Sequence, residues 1–438
     1  MHPNQTTKKA VRIGILDVLG VGSLGDEATQ QAMIQNILKY HPNAEIYGFS
    51  CDPKDTLARH GIQSFPINRV CGKCHWWLGN NPGALAKQLV EVLDKFKSSS
   101  NPVARAIGSK LVGSWLEILA SIRAYKSLGN LDLDLLIVSG GGQLDDDFHG
   151  AWYEPYILFF WGILARLHHV KFAIVSVGVG NIASKLSRFF IKVGLSVACY
   201  RSYRDNISKQ YLEDVLRFKN SDSIYPDLAH SLQLQEFSKL IIQDEPQVVA
   251  VNPLHFVPGY WSGLEDAAYD EYLNKLAEFI DWLAQNNYKI IMFSSCIGED
   301  TSVTKLVKDV LQHSGKSIPD DQIVDAAILT VEDLILQLSN VSIVVASRLH
   351  SVLLATLLNK PIIALAYHFK LDMVMQEMGQ SEYCLRIDHF SVEELKEKFI
   401  SLEKNRETIK AQLGQETQRC QLALDQQYQY LFKQLLHQ

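Results

Sequence analysis

The sequence predicts an α/β protein of two doubly wound, Rossmann-like domains facing a cleft, with a helical insertion in the first domain. Short β-branched runs alternate with helical patterns from end to end, as expected of parallel sheets covered by helices on both faces. This strand series gives way to a polar stretch ending in Asp244-Glu245-Pro246 and restarts at Gln247. At 438 residues, 47% of them hydrophobic and 21% charged, the chain is long enough to fill two ordinary cores.

In the first half, strands are expected at Val11 to Asp17, Glu45 to Ser50, Leu133 to Ser139, Phe172 to Val177 and Ala198 to Tyr203. Each ends where glycine or polar residues begin. The second half offers Gln247 to Pro253, Lys289 to Ser295, Val341 to Ser347 and Pro361 to Tyr367. Leu232 to Pro246 lacks a strand pattern and is read as the linker, which gives an N-terminal domain over 1–235 and a C-terminal domain over 246–390. Between about 68 and 130, Pro82-Gly83 and the Ser98 to Pro102 run punctuate amphipathic pieces rich in Leu, Ala and Lys, read as an inserted helical lobe. The tail, 391–438, carries Glu, Lys, Gln and Leu at helical spacing, as helices packed along the outside would.

Composition removes several classes. A net charge of −6 gives no basic footprint, so nucleic acid is not an expected partner. No window reaches about 18 uncharged apolar residues, the length of a membrane span. The polar start, Met1 to Val11, leads into an apolar run that holds Asp17 and three glycines, which reads as a first strand and loop rather than a signal peptide. Seven cysteines without framework spacing fit reduced thiols and a cytoplasmic location. Cys71 and Cys74, with His75 beside them, are either half a zinc site or two incidental thiols; no second ligand pair follows. Trp76, Trp77, Lys95, Lys97, Arg105, Lys110 and Trp115 suit either a peripheral contact with the inner face of a membrane or packing of the lobe on its own domain.

Candidate chemistry sits at strand ends. The first strand leads into Leu19 to Glu27, a glycine-rich turn entering a helix. Asp26 there, beside Gly25, either accepts hydrogen bonds from sugar hydroxyls or acts as a base, or it caps the helix. Gly140-Gly141-Gly142 closes a strongly apolar strand at the edge where α/β proteins bind ligands, which marks Gly141 and Gly142 for an acceptor. The following Asp145, Asp146 and Asp147 are expected in a solvated turn, since consecutive side chains rarely converge on one ion.

Arg204 follows another strand, just ahead of a helix capped by Asp205 or Asn206. Its guanidinium suits a carboxylate or phosphate, or a structural ion pair with Asp205 or Asp227. Arg348-Leu349-His350, between a buried strand and a helix, either sets a fixed positive charge beside a proton donor, Arg348 and His350 projecting to one side if the turn is extended, or leaves His350 merely to cap or pack at the helix start. Tyr367, His368 and Lys370 lie at the end of the next strand and either complete an anion pocket or are polar side chains that merely meet solvent.

Taken in order, these motifs resemble the polysaccharide pyruvyl transferases. Ser23-Leu24-Gly25-Asp26-Glu27 is similar to that family's Asn/Ser-x-Gly-Asp-Glu opening, and Gly140 to Leu144 to its Gly-Gly-Gly-x-Leu turn. Arg204-Asp205-x-x-Ser208, Arg348-Leu349-His350 and Tyr367-x-x-Lys370 follow in the family's order, the likeness running from about Val11 to Ile387. The resemblance implies a GT-B-like fold and phosphoenolpyruvate as co-substrate. It also implies His350 as general acid, with Arg204, Arg348, Leu349 and, through the Tyr-x-x-Lys match, Lys370 around the donor. The acceptor is then a sugar, oligosaccharide or lipid-linked glycan of a cell-surface or exopolysaccharide, and the chemistry needs no metal and no other cofactor. The insertion and the Asp145 to Asp147 run depart from the family pattern and leave the acceptor undefined. A GT-B glycosyltransferase using a nucleotide sugar is the alternative, and a silent glycan-binding relative a further one.

Overall fold

The computed structural model describes residues 10–17, 22–67, 88, 91–92, 94–96, 98–101, 119, 121–146, 150–218, 221–237, 247–255, 266–297, 300–313, 318–319, 322–325 and 328–437. Most of the predicted lobe, Cys71, Cys74, Asp147 and the 238–246 part of the predicted linker lie outside these residues. By contacts the chain divides into two units, Met1–Val21 with Met33–Leu228 and Gln426–Gln438, and Gly22–Ala32 with Ala229–Asp425.

The first unit holds a seven-stranded sheet of order β3-β2-β1-β4-β5-β6-β7. Its strands are β1 (Arg12–Leu16), β2 (Glu45–Ser50), β3 (Gln63–Pro66), β4 (Leu135–Ser139), β5 (Lys171–Val177), β6 (Tyr200–Tyr203) and β7 (Ser223–Ile224), all parallel. The second unit holds β8 (Val248–Asn252), β9 (Lys289–Met292), β10 (Ile323–Asp325), β11 (Ile343–Ala346), β12 (Ile362–Ala366) and β13 (Cys384–Arg386), also parallel, in the order β10-β9-β8-β11-β12-β13. Each order reverses at a switch point, β1/β4 in one sheet and β8/β11 in the other, and ligands of open α/β sheets bind outside the carboxyl ends of strands there.

Helices complete both layers. The described ones include α1 (Leu24–Tyr40), α2 (Pro53–His60), α3 (Glu154–Leu167), α4 (Lys185–Val197) and α5 (Asn206–Leu216). After them come α6 (Asp266–Gln285), α7 (Asp300–His313), α8 (Val331–Ser339), α9 (Leu349–Leu357), α10 (Phe369–Glu377), α11 (Val392–Lys404) and α12 (Arg406–Gln429). Side-chain caps stop fraying at many starts: Asp52 on α2, Ser184 on α4, a Thr330–Asp333 capping box on α8 and Ser391 on α11. Among the described residues no helix is long and apolar enough to cross a membrane, and Cys199, Cys384 and Cys420 are free thiols.

Two boundaries differ from the sequence reading. The start of α1 was assigned to the first domain, yet Leu24, Ala28 and Ala32, spaced i, i+4, i+8 on one helix face, are buried in the second unit's core. The amide of Leu24 donates to Ser295 O at 2.9 Å, that of Ile297 to Gly22 O at 2.8 Å, and Ser23 bridges Cys296, so this first turn is strapped to the loop after β9. The helical tail is not wholly an outer layer of one domain either: Gln426–Gln438 belongs to the first unit, where Gln427 is fully buried and donates to Ser202 Oγ at 2.6 Å.

Candidate active site

The second unit gathers the most chemistry at its switch point. β8 ends in Asn252, whose amide nitrogen donates to Phe293 O at 3.0 Å and whose oxygen accepts from Ser351 Oγ at 3.0 Å. Ser347, at the end of β11, contacts the Tyr272 hydroxyl at 3.1 Å, and that hydroxyl accepts from the amide of Leu254 at 2.9 Å. These buried bonds fix the strand ends and the first turn of α9. Sequence reasoning passed over Asn252 and Tyr272; the only signal was that Asn252 closes an otherwise apolar strand.

Arg348 is the extended N-cap of α9, at φ −101° and ψ 138°, and makes no side-chain cap bond. Leu349 opens the helix and His350 follows it, so the extended turn expected for Arg348 and His350 is not what forms. The physical reason is the apolar Leu349-x-x-Val352-Leu353 pattern, which favours helix at once. The outcome is a nine-residue helix whose first-turn amides no intrahelical carbonyl reaches, headed by an arginine.

The His350 imidazole packs against Gly25. A Cβ built on Gly25 would lie 2.0 Å from His350 Cγ and 2.2 Å from Nδ1, so only glycine permits this approach. His350 Nε2 is buried and makes no hydrogen bond among the described residues. Gly25, an acceptor or base candidate together with Asp26, is the bed of the histidine. Asp26, one residue on, is half-buried, and its own amide lies 3.5 Å from Ser23 Oγ, so Ser23 rather than Asp26 is placed to cap α1.

Tyr367 stands close enough to Arg348 to feel its charge. Burial pushes the Tyr367 phenol up to about 12, and the Arg348 cation works against that rise. The folded value lies above the 10.0 of a free tyrosine, so only the folded chain keeps this proton between pH 10 and about 12. Its contribution to stability is therefore complete below pH 10 and is lost as pH climbs through that window. Tyr367→Phe should accordingly flatten alkaline denaturation between pH 10 and about 12, followed by far-ultraviolet circular dichroism. Lys370 lies in the first turn of α10, and His368 caps that helix, its Nδ1 accepting from the Lys370 amide at 3.3 Å.

The remaining sequence candidates belong to the first unit. Gly140 and Gly141 turn with φ 63° and 70°, a left-handed pair that lets the Gly140 amide reach Val175 O and the Gly178 amide reach Gly141 O, each at 2.8 Å. Gly142 is exposed. Gln143 donates to the buried Asp17 at 2.6 Å. Asp145 and Asp146 are not in a solvated turn. They are 4% and 9% exposed, and Asp146 accepts from the amides of Ala183 and Ser184 at 2.9 Å, because the loop ahead of α4 needs buried acceptors for its donors.

Arg204 is 8% exposed. It donates to Asp227 at 3.0 Å and stands 3.7 Å from Asp205, while Asp205 caps α5 through the Ser208 amide at 2.6 Å. Both carboxylates named as ion-pair partners from the sequence are thus present. Asp227→Ala would leave the buried cation with Asp205 alone, at 3.7 Å, so the cost should fall below the ~3–5 kcal/mol of a fully stranded charge, at about 1–3 kcal/mol. Urea denaturation should show that loss, and a stability unchanged within about 0.5 kcal/mol would mean Arg204 draws little from the pair.

Among the described residues no group of three or more His, Cys, Asp or Glu is arranged to hold a metal ion.

Two parallel sheets of Rossmann order, one ending in an arginine-headed helix with a histidine on its first turn, define a GT-B-like α/β protein. Solved structures of that architecture match over nearly the whole chain. The UDP-N-acetylglucosamine 2-epimerase of Neisseria meningitidis bound to UDP-GlcNAc aligns with TM-score 0.55 at 10% identity, covering 95% of this chain and 100% of that one. The UDP-GlcNAc 2-epimerase of Methanocaldococcus jannaschii gives 0.52 at 13%, over 90% and 94% of the two chains. A glycosyltransferase of Rickettsia africae gives 0.52 at 11%, over 98% and 100%. At these identities the likeness concerns the fold. No curated protein matches the chain significantly in sequence. The family model for polysaccharide pyruvyl transferases matches residues 24–369, from the first turn of α1 to the start of α10. The chain belongs to the polysaccharide pyruvyl transferase family.

Proposed function

We propose that the protein transfers the pyruvyl group of phosphoenolpyruvate onto two hydroxyls of one sugar, as a cyclic ketal, releasing phosphate. The sugar is part of a cell-surface or exopolysaccharide or of its lipid-linked precursor. The observation that carries this reading is His350. Its ring is seated on Gly25, and its buried Nε2 makes no hydrogen bond among the described residues, next to a helix N-terminus headed by Arg348. An enol phosphate needs a proton for its methylene carbon and positive charge for its leaving group, and these are the groups present.

In this mechanism the protonated imidazole gives its proton to C3 of phosphoenolpyruvate, which makes C2 electrophilic. A sugar hydroxyl adds its oxygen to C2 and loses its proton. The bond from C2 to the phosphate oxygen breaks with its electron pair on phosphate, and a second hydroxyl of the same sugar closes the ring. Of the two hydroxyl protons, one restores His350 and the other ends on phosphate. Arg348, with the amides of Leu349 and His350 at the start of α9, stabilises the departing dianion, the electrostatic contribution that commonly dominates such barriers. Lys370 adds charge to the donor pocket, and Asp26 is the candidate for receiving a hydroxyl proton. The part given to Arg204, and the acceptor role of Gly141 and Gly142, rest on the family resemblance and the strand-end position.

The test is the product. Incubation with phosphoenolpyruvate and galactose-, glucose- or mannosamine-type glycans should give a ketal methyl signal in the proton spectrum of one acceptor class. The nucleotide-sugar reading, favoured by the UDP-GlcNAc epimerases that share the fold, predicts no ketal and consumption of a nucleotide sugar instead.

A further inference from the structure

The first unit carries an aromatic surface that pyruvyl transfer does not use. Helices α3 and α4 pack side by side and build it. Trp152 lies 5.3 Å from Tyr156 and 5.4 Å from Phe190 between ring centroids, and Phe159 lies 5.0 Å from Phe190 and 6.1 Å from Phe189. Phe190, buried, roots this layer in the fold. Its outer members are open: Trp152 is 65% exposed, Phe189 55% and Leu186 37%.

Leu186, Phe189 and Val193 follow one another at i, i+3 and i+7, a stripe along α4. The same helix carries Lys185, Arg188 and Lys192, all exposed, and no acidic residue, within a chain whose net charge is −6. Arg188 Nε donates to Ile182 O at 3.0 Å and Lys192 Nζ to Leu216 O at 3.1 Å, contacts with carbonyls that hold the cations in place without neutralising them.

Charge decides the occupant. Were this face to pair with a second copy across a twofold axis, the cations of α4 would meet their equivalents, and like charges oppose such a contact. An anionic lipid surface offers both complements, phosphates for the lysines and arginine, and a headgroup layer for tryptophan and phenylalanine. We propose that the α3–α4 face of the first unit lies on an anionic bilayer, with Trp152, Leu186 and Phe189 inserted at headgroup level. Its residues are not those between 68 and 130 singled out in the sequence, and the proposal stands whether or not pyruvyl transfer is the reaction.

Sedimentation with phosphatidylcholine vesicles, with and without phosphatidylglycerol, tests it. The wild-type chain should pellet with the anionic vesicles alone, less so as salt is raised. Trp152→Ser combined with Phe189→Ser should weaken vesicle binding about tenfold or more, and Lys185→Glu about fivefold. Should the double variant fail to fold, Lys185→Glu and the salt and headgroup dependence of the wild type still decide. Equal pelleting with neutral vesicles, no pelleting at all, or undiminished binding of the variants would overturn the proposal. A concentration-dependent dimer that the double variant abolishes, with vesicles ignored, would assign the face to a second copy instead.

Discussion

His350→Ala is expected to cut acceptor-dependent phosphate release by about 10²–10⁴-fold, the usual contribution of a positioned general acid. The fold should scarcely notice. The side chain is half-buried and its Nε2 makes no hydrogen bond among the described residues, so the stability change should stay within about 1 kcal/mol. The pairing of a large kinetic loss with a small thermodynamic one separates an acid from a packing residue, because a packing histidine would reverse the two. Arg348→Ala should lose a comparable amount of activity, since truncating it removes charge aimed at the phosphate. A His350→Ala enzyme that retains most of its turnover would remove the histidine from the chemistry.

Gly25→Ala is expected to damage both activity and stability. The added methyl would sit 2.0 Å from His350 Cγ and 2.2 Å from its Cβ, where real contacts do not fall below 3.0 Å. Neither side yields easily. The start of α1 is tied to Ser295 and Cys296, and α9 is tied to β8 through Ser351 and Asn252. Because the clash reaches His350 Cβ, a new rotamer does not relieve it and the start of α1 or of α9 must back away; a displacement of about 1 Å at a reacting group costs on the order of 10²-fold. Overpacking of this kind should also cost about 1–3 kcal/mol in urea denaturation. The effects must not be additive once the side chain is removed entirely: His350→Gly takes away Cβ as well as the ring, so Gly25→Ala should cost less stability in a His350→Gly background than in the wild type, while the double variant stays as inactive as His350→Gly alone. Additive stabilities would show that the glycine matters for another reason.

The central strands were legible because burial on both faces demands continuous apolar runs. All five residues of β8 and all five of β12 are buried, and both stand out in the sequence. The four strands not anticipated are β3, β7, β10 and β13, and they are the four sheet edges. An edge strand buries less and can be short, so Ser223–Ile224, both exposed, and Gln63–Pro66, with no buried residue, carry no hydrophobic signature.

The site was legible to the extent that its residues follow strand ends. The Arg348 to His350 segment announced itself by lying between an apolar strand and a helix, and the structure puts it at a switch point. The contact of Gly25 with His350 could not be read, because it joins the first turn of α1 to that of α9, and no local pattern records which distant ring a glycine accommodates. The carboxylates around Arg204 were named as partners from the sequence, whereas the inward turn of Asp145 and Asp146 was missed. The Asp146 carboxylate is taken up by the amides of Ala183 and Ser184, in a loop some distance along the chain, a demand that composition does not display.

The central claim is that the donor is phosphoenolpyruvate. Phosphate release by the purified wild-type chain, measured with phosphoenolpyruvate in the presence and absence of glycan acceptors and set beside turnover of a UDP-sugar, tests it most directly. The account predicts release that requires both phosphoenolpyruvate and one acceptor class, with the UDP-sugar untouched. Turnover of the UDP-sugar, with phosphoenolpyruvate left intact across every acceptor, would contradict it.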